Sequence, residues 1–108
     1  MPRGRKPESV IRQNIVEILY FMKKAHGYEV YRIYKAVFPL VTMRSIYYHL
    51  KKGFLLEEFK IAEIKKEMGD FSWGNYAEKI YYELGRNAKP VGNLAVKNYL
   101  DKMKSKNI

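Results

Sequence analysis

The sequence predicts an α+β fold built from three helices, a β-hairpin and a C-terminal helix. Apolar residues recur at helical spacing through the first half of the chain and again near its end. Between these parts, two segments alternate apolar and polar residues as half-buried strands do, and a glycine-containing segment separates them. With 108 residues, 47% of them hydrophobic, the chain is long enough for one domain with a single core.

The first two helices are predicted over Glu8–Lys24 and Tyr28–Phe38. Ser9 is placed to cap the first helix, and we expect Gly27 to help to end it. Pro39 ends the second helix. The stripe expected to face the core comprises Val10, Ile11, Ile15, Ile18, Leu19 and Met22 in the first helix and Val30, Ile33, Tyr34 and Val37 in the second.

A third helix is predicted over Val41–Leu56, with Thr42 as its N-cap. Its apolar face should carry Ile46, Leu50 and Phe54. We expect either that this helix ends near Gly53 or that another element covers Leu55. The opposite face presents Arg44, Ser45, Tyr48 and Lys52, with His49 and Lys51 at its edges.

The basic face of the third helix has the chemistry of a DNA-recognition helix. No carboxylate lies between Thr42 and Leu56. Cations of this kind bind phosphates and guanine edges, and hydroxyl groups bind either phosphates or bases. The alternative is an ordinary solvated helix that is basic.

The second half of the chain predicts a hairpin and a closing helix. Strands are expected over Phe59–Lys66 and Ala77–Leu84, joined by a long loop, Met68–Tyr76. Trp73 in this loop either contacts a sugar or base, or folds back onto a small local core. The helix predicted over Val91–Lys104 either packs on the first helix or pairs with the same helix of a second copy. Its apolar stripe consists of Val96, Tyr99, Leu100 and Met103.

Three parts of the chain are expected: a flexible basic arm (residues 1–8), a winged-helix domain (9–86) and the C-terminal helix (87–108). The arm contains Pro-Arg-Gly-Arg, which resembles the core of an AT-hook, although Lys6 lies where such a hook has proline. Arg3 and Arg5 are therefore expected to enter the minor groove of A·T-rich DNA.

Composition narrows the function. The net charge of +10 favours a polyanionic partner, nucleic acid above all. Because cysteine is absent, disulfides and thiolate metal sites are excluded, as suits the cytoplasm. The longest apolar run, 36–41, is too short for a membrane span or a secretory signal. With only His26 and His49 as histidines and no catalytic constellation, we expect no enzyme activity, no cofactor and no metal.

The order of helix, helix, basic helix, hairpin and helix is that of a winged helix-turn-helix. The segment His26–Val30 resembles the His-Gly-Tyr-Glu segment of PadR-like winged-helix regulators, and Ser45–Tyr47 and Tyr81–Gly85 look like later markers of that family. The stretch Leu50–Phe54 departs from it, because PadR-like proteins have more residues before the wing, and it is more similar to linker-histone-type winged helices. The resemblance implies a dimeric transcription regulator.

We therefore expect a protein that binds double-stranded DNA, either sequence-specifically or generally, in the cytoplasm and associated with the nucleoid. It would regulate transcription, form a homodimer through the C-terminal helix and bind no membrane. A protein-interaction module and an RNA- or ribosome-associated basic protein are the alternatives. The residues expected to contact DNA are Arg3, Arg5, Thr42, Arg44, Ser45, Tyr48, His49, Lys51, Lys52, Lys65, Lys66 and Trp73.

Overall fold

The computed structural model describes residues 9–38, 40–71 and 74–106, with side chains for all of these except 67–71, 74–77 and 105–106. The three strands form an antiparallel sheet in the order β1–β3–β2. The predicted order of three helices, hairpin and closing helix is confirmed. The elements are α1 (Val10–Met22), β1 (Ala25–His26), α2 (Gly27–Val37), α3 (Met43–Leu55), β2 (Phe59–Phe71), β3 (Gly74–Leu84) and α4 (Leu94–Lys106).

Local hydrogen bonds set both ends of α1. The Ser9 hydroxyl accepts a hydrogen bond from the Arg12 N–H at 3.2 Å, which confirms the predicted cap. The helix ends at Met22 rather than Lys24, because Lys23 has φ 76 and donates its N–H to the Leu19 carbonyl.

Gly27 begins α2, so the expectation that it helps to end the first helix was wrong. Its preceding residues, Ala25 and His26, form β1, which pairs with Tyr82 and Tyr81 of β3. This two-residue strand was not predicted, because two residues carry no measurable alternation.

One core joins all four helices and the hairpin. The helical stripes of α1 and α2 confirm the predicted periodicity, except that Val10 is 77% exposed. Phe54 was also expected on the buried face of α3, but its side chain is 43% exposed, because Gly53 packs against the sheet instead. The fully or nearly buried apolar residues are Ile15, Val16, Ile18, Leu19, Ala25, Val30, Ile33, Tyr34, Ile46, Leu50, Phe59 and Val96.

The hairpin is longer than predicted. The segment 68–76 was expected to be a long loop, but strand structure continues through residues 68–71 and 74–76, with Met68 paired to Tyr76 and Phe71 paired to Gly74. A register shift between Ile61 and Glu63 interrupts the alternation expected for the first strand. The side chain of Ile61, which precedes this shift, is 41% exposed.

A buried carboxylate fixes the start of α4. Glu17 of α1 is 1% exposed and accepts hydrogen bonds from the N–H groups of Val91, Gly92 and Asn93 at 2.8–2.9 Å. The Asn93 side chain then caps α4, accepting the Ala95 N–H at 2.9 Å. The helix therefore begins at Leu94 rather than Val91, and it packs on α1 and α2.

Within the described ranges, no helix is long and apolar enough to cross a membrane. In the same ranges, no cluster of three or more His, Cys, Asp or Glu side chains has a metal-binding arrangement.

Candidate nucleic-acid interface

The position of α3 follows from its small buried face. Ile46 and Leu50 are completely buried, and Gly53 lies so close to the sheet that a Cβ at this position would overlap the Phe59 ring. The Thr42 hydroxyl accepts the Ser45 N–H at 3.0 Å, which confirms the predicted N-cap. These contacts leave Arg44, Tyr48, Lys51 and Lys52 exposed on the outward side of the helix.

The outward face of α3 is basic and polar. Arg44, Tyr48 and Lys51 follow the spacing i, i+4, i+7 and are all exposed, so they form one line along the helix. Lys52 is exposed beside them. No described residue forms a salt bridge with any of these three cations. Their charges are therefore available to an external anion.

Two other predicted contact residues lie at the start of α3. Thr42 is exposed and Ser45 is half-buried. The Thr42 hydroxyl oxygen already accepts the capping hydrogen bond, so its proton and one further lone pair remain for a partner.

His49 is turned partly towards α1. Its side chain is half-buried, and no described residue forms a hydrogen bond with its buried Nδ1 atom. Burial, and secondarily the positive charge of Arg12, lower the pKa of His49 from its ordinary value. The ring packs edge-on against Tyr48, with 5.0 Å between centroids. A neutral His49 therefore supports the outward tyrosine rather than adding a cation to this face.

The wing carries the predicted lysines on exposed positions. Lys65 and Lys66 are exposed on β2, and the Lys65 ammonium lies 5.0 Å from the centroid of the Tyr81 ring. Lys24, which precedes β1, pairs with Glu63 of the same hairpin. Arg3, Arg5 and Trp73 lie outside the described residues.

The expectation about the end of α3 was wrong. The helix continues past Gly53 to Leu55, and no element among the described residues covers the Leu55 side chain, which is 68% exposed. Phe54 and Leu56 are 43% and 38% exposed beside it. The last turn of the helix is consequently an apolar projection.

Two supporting contacts were missed by the sequence analysis. Arg12, which is 4% exposed, binds the Glu58 carboxylate through Nε at 2.8 Å and so ties α1 to the link between α3 and β2. The Tyr47 ring packs where a Cβ of Gly27 would lie, which ties α3 to the start of α2. Arg12 and Glu58 are 46 residues apart in the sequence, so no helical or strand periodicity could indicate their contact. The contact of Tyr47 could have been suspected, because a glycine at a helix start, here Gly27, allows a close approach of another element.

A solved structure has the same fold. A PadR family transcription regulator from Clostridium difficile superposes with a TM-score of 0.55 over 91% of this chain and 86% of that chain, at 21% sequence identity. This chain has a winged-helix fold. At this identity the likeness concerns the fold and not residue roles. No sequence profile of a known family matches the chain, and a comparison with curated proteins gives no match.

Within that fold, α2 and α3 are the helix-turn-helix and β2 and β3 are the wing. The resemblance to PadR-like regulators expected from the sequence is thus confirmed at the level of the fold.

Proposed function

We propose that this protein binds duplex DNA and regulates transcription, with α3 as its recognition helix. The observation that carries the proposal is the exposed line of Arg44, Tyr48 and Lys51 on a helix that contains no carboxylate. The structurally similar Clostridium difficile protein is described as a transcription regulator, which supports the same class of function here.

The chemistry of α3 suits the major groove. That groove is about 12 Å wide and admits a helix, whose side chains then reach base edges and phosphates. The Arg44 guanidinium can donate two hydrogen bonds to a guanine edge, while Lys51 and Lys52 neutralise phosphates. Ser45, Tyr48 and Thr42 offer hydroxyl groups, and His49 supports the ring of Tyr48 from the inner side.

The hairpin and the N-terminal arm extend this proposed interface. Lys65 and Lys66 contact the phosphate backbone that flanks the groove. Trp73 meets the same flanking region, and Arg3 and Arg5 enter the adjacent minor groove. Affinity then depends strongly on salt, because each neutralised phosphate releases counterions.

We further propose a homodimer that forms through α4. Leu94 at the start of this helix is 68% exposed, and Val91 immediately before it is 82% exposed. A second copy can bury both side chains, which otherwise remain in water. Two recognition helices related by a two-fold axis would then read two half-sites of nucleoid DNA in the cytoplasm.

The test compares two double variants that lose the same charge. Arg44→Ala with Lys52→Ala removes two cations from α3, whereas Lys89→Ala with Lys102→Ala removes two exposed cations elsewhere. Fluorescence anisotropy with labelled duplex DNA should show about a tenfold or larger loss of affinity for the α3 variant. The salt slope should fall by about one, because Lys52 is the phosphate contact that this variant loses. The control variant should lose much less.

Equal losses in the two variants would mean that only net charge matters, and an unchanged affinity of the α3 variant would place the interface elsewhere. Hairpin RNA competing better than duplex DNA would favour the RNA-associated alternative, because the A-form major groove is too narrow for a helix.

A further inference from the structure

The apolar last turn of α3 is a surface that DNA binding does not explain. Phe54, Leu55 and Leu56 are 43%, 68% and 38% exposed. Successive helical residues differ in direction by about 100°, so three in a row cannot all share one buried face. This turn therefore projects from the fold with apolar side chains on several sides, and phosphates or sugars offer it no matching chemistry.

A cavity of about 380 Å³ opens beside this turn. Phe54 and the core residue Phe59 supply its apolar lining, and Lys60 and Arg86 supply cations. Glu57 also lines it, with Oε1 at 2.8 Å from the Arg86 Nε, so the charges of these two side chains offset one another. The cavity has room for one or two apolar side chains.

Lysines flank the apolar turn, and the two glutamates that follow it, Glu57 and Glu58, are paired with Arg86 and Arg12. Lys51 and Lys52 lie one turn before Leu55 and Leu56, and no described residue forms a salt bridge with either lysine. Lys60 pairs only at 3.7 Å with a glutamate of β3, and its side chain is 63% exposed. An apolar centre with a basic rim is complementary to a segment that carries leucine or phenylalanine among carboxylates.

We propose that the Phe54–Leu56 turn and its cavity dock an acidic amphipathic segment of a partner protein. The apolar side chains of that segment contact Leu55 and enter the cavity, while its carboxylates bind Lys51 and Lys52. A second copy of this chain fits less well, because it would bring another basic rim to a basic rim. Since Lys51 and Lys52 also belong to the proposed DNA face, the acidic segment and DNA exclude one another.

The test uses the full chain and a fluorescein-labelled peptide of roughly 16 residues, composed of glutamate, leucine and phenylalanine at helical spacing. A matched peptide has lysine in place of every glutamate. The wild-type protein should bind the glutamate peptide and not the lysine peptide. Leu55→Ser should weaken this binding about tenfold or more, because it removes an apolar contact at the centre of the surface.

The control variant is Leu40→Ser. Leu40 is completely exposed and precedes α3, so the same substitution is made beyond the opposite end of the same helix. Peptide affinity should be unchanged in this variant, and circular dichroism should show both variants folded. Unlabelled duplex DNA should displace the peptide from the wild-type protein.

Four results would overturn the proposal. Equal binding of both peptides would show that charge plays no part in the recognition. Equal losses of peptide affinity in Leu55→Ser and Leu40→Ser would indicate non-specific adsorption. Loss of DNA affinity in Leu55→Ser with unchanged peptide affinity would assign the turn to the DNA interface. Dissociation of a dimer in Leu55→Ser, again with unchanged peptide affinity, would make a second copy the occupant.

Discussion

Glu17→Gln is expected to destabilise the attachment of α4. The substitution keeps the size of the side chain but replaces one acceptor oxygen by an NH2 group. In the wild-type protein, Oε1 of Glu17 accepts hydrogen bonds from the backbone N–H groups of Gly92 and Asn93. Its Oε2 accepts hydrogen bonds from the backbone N–H of Val91 and from the side-chain amide of Gln13. The glutamine oxygen can replace Oε1, but its NH2 group then faces two donors.

The expected cost is about 3–5 kcal/mol. One backbone N–H loses its acceptor, at roughly 1–3 kcal/mol, and two further hydrogen bonds become neutral rather than charge-assisted, each losing about 1 kcal/mol. In a domain of this size, that destabilisation lowers Tm by about 10 °C or more. Hydrogen exchange should also show lost protection at the amides of Val91, Gly92 and Asn93.

The effect should depend on pH. Burial by itself raises the pKa of Glu17, but the hydrogen bonds from Val91, Asn93, Gln13 and Gly92 outweigh it, so the pKa lies below its ordinary value of 4.5. The stabilisation is therefore fully present above pH 4.5 and is lost as pH falls through the pKa of the folded state. The difference in the free energy of unfolding between the wild-type protein and Glu17→Gln should therefore become smaller as the pH falls through this range.

Urea denaturation of both proteins between pH 7 and pH 3 measures this difference directly. Asp101→Asn is a suitable control, because its pair with Lys97 is exposed and should contribute less than about 0.5 kcal/mol. A difference of less than about 0.5 kcal/mol for Glu17→Gln at pH 7 would refute the reasoning.

Two further predictions concern the placement of α3 and the dimer. Gly53→Ala should destabilise the protein by about 1–3 kcal/mol in urea denaturation, because the added methyl group overlaps the buried Phe59 ring. Gly27→Ala should destabilise it less, because the half-exposed Tyr47 ring can move away. A larger destabilisation at Gly27 than at Gly53 would contradict this account. Leu94→Glu should convert the proposed homodimer to monomer in sedimentation velocity without unfolding it, and a wild-type protein that sediments as a monomer at all concentrations would disprove that assembly.

The sequence predicted those features that depend on neighbours in the chain. The helical stripes that contain Ile15, Val30 and Ile46 identified the core faces, and Ser9 and Thr42 identified two helix starts, because a cap needs only a hydroxyl group three residues before an amide. The confirmed fold followed from the order of these elements.

Contacts between distant parts of the chain could not be predicted in this way. Glu17 lies between apolar residues of α1 and carries no sign of its partners 74–76 residues later. Gly53 could be taken for a helix end, although it is a point of close packing against the sheet that turns Phe54 and Leu55 outwards. Of the contact residues proposed within α3, Arg44, Tyr48, Lys51 and Lys52 are exposed, whereas Ser45 and His49 are half-buried, a difference that helical periodicity alone does not reveal.

Duplex DNA binding over a salt series tests the central claim most directly. Fluorescence anisotropy should be measured with random duplex, A·T-rich duplex and hairpin RNA, each at several salt concentrations. The account predicts tight binding to duplex, with log affinity falling linearly with log salt by about 0.9 per neutralised phosphate, and weaker binding to the RNA. No binding to any of the three at low salt, from a protein of charge +10, would contradict it.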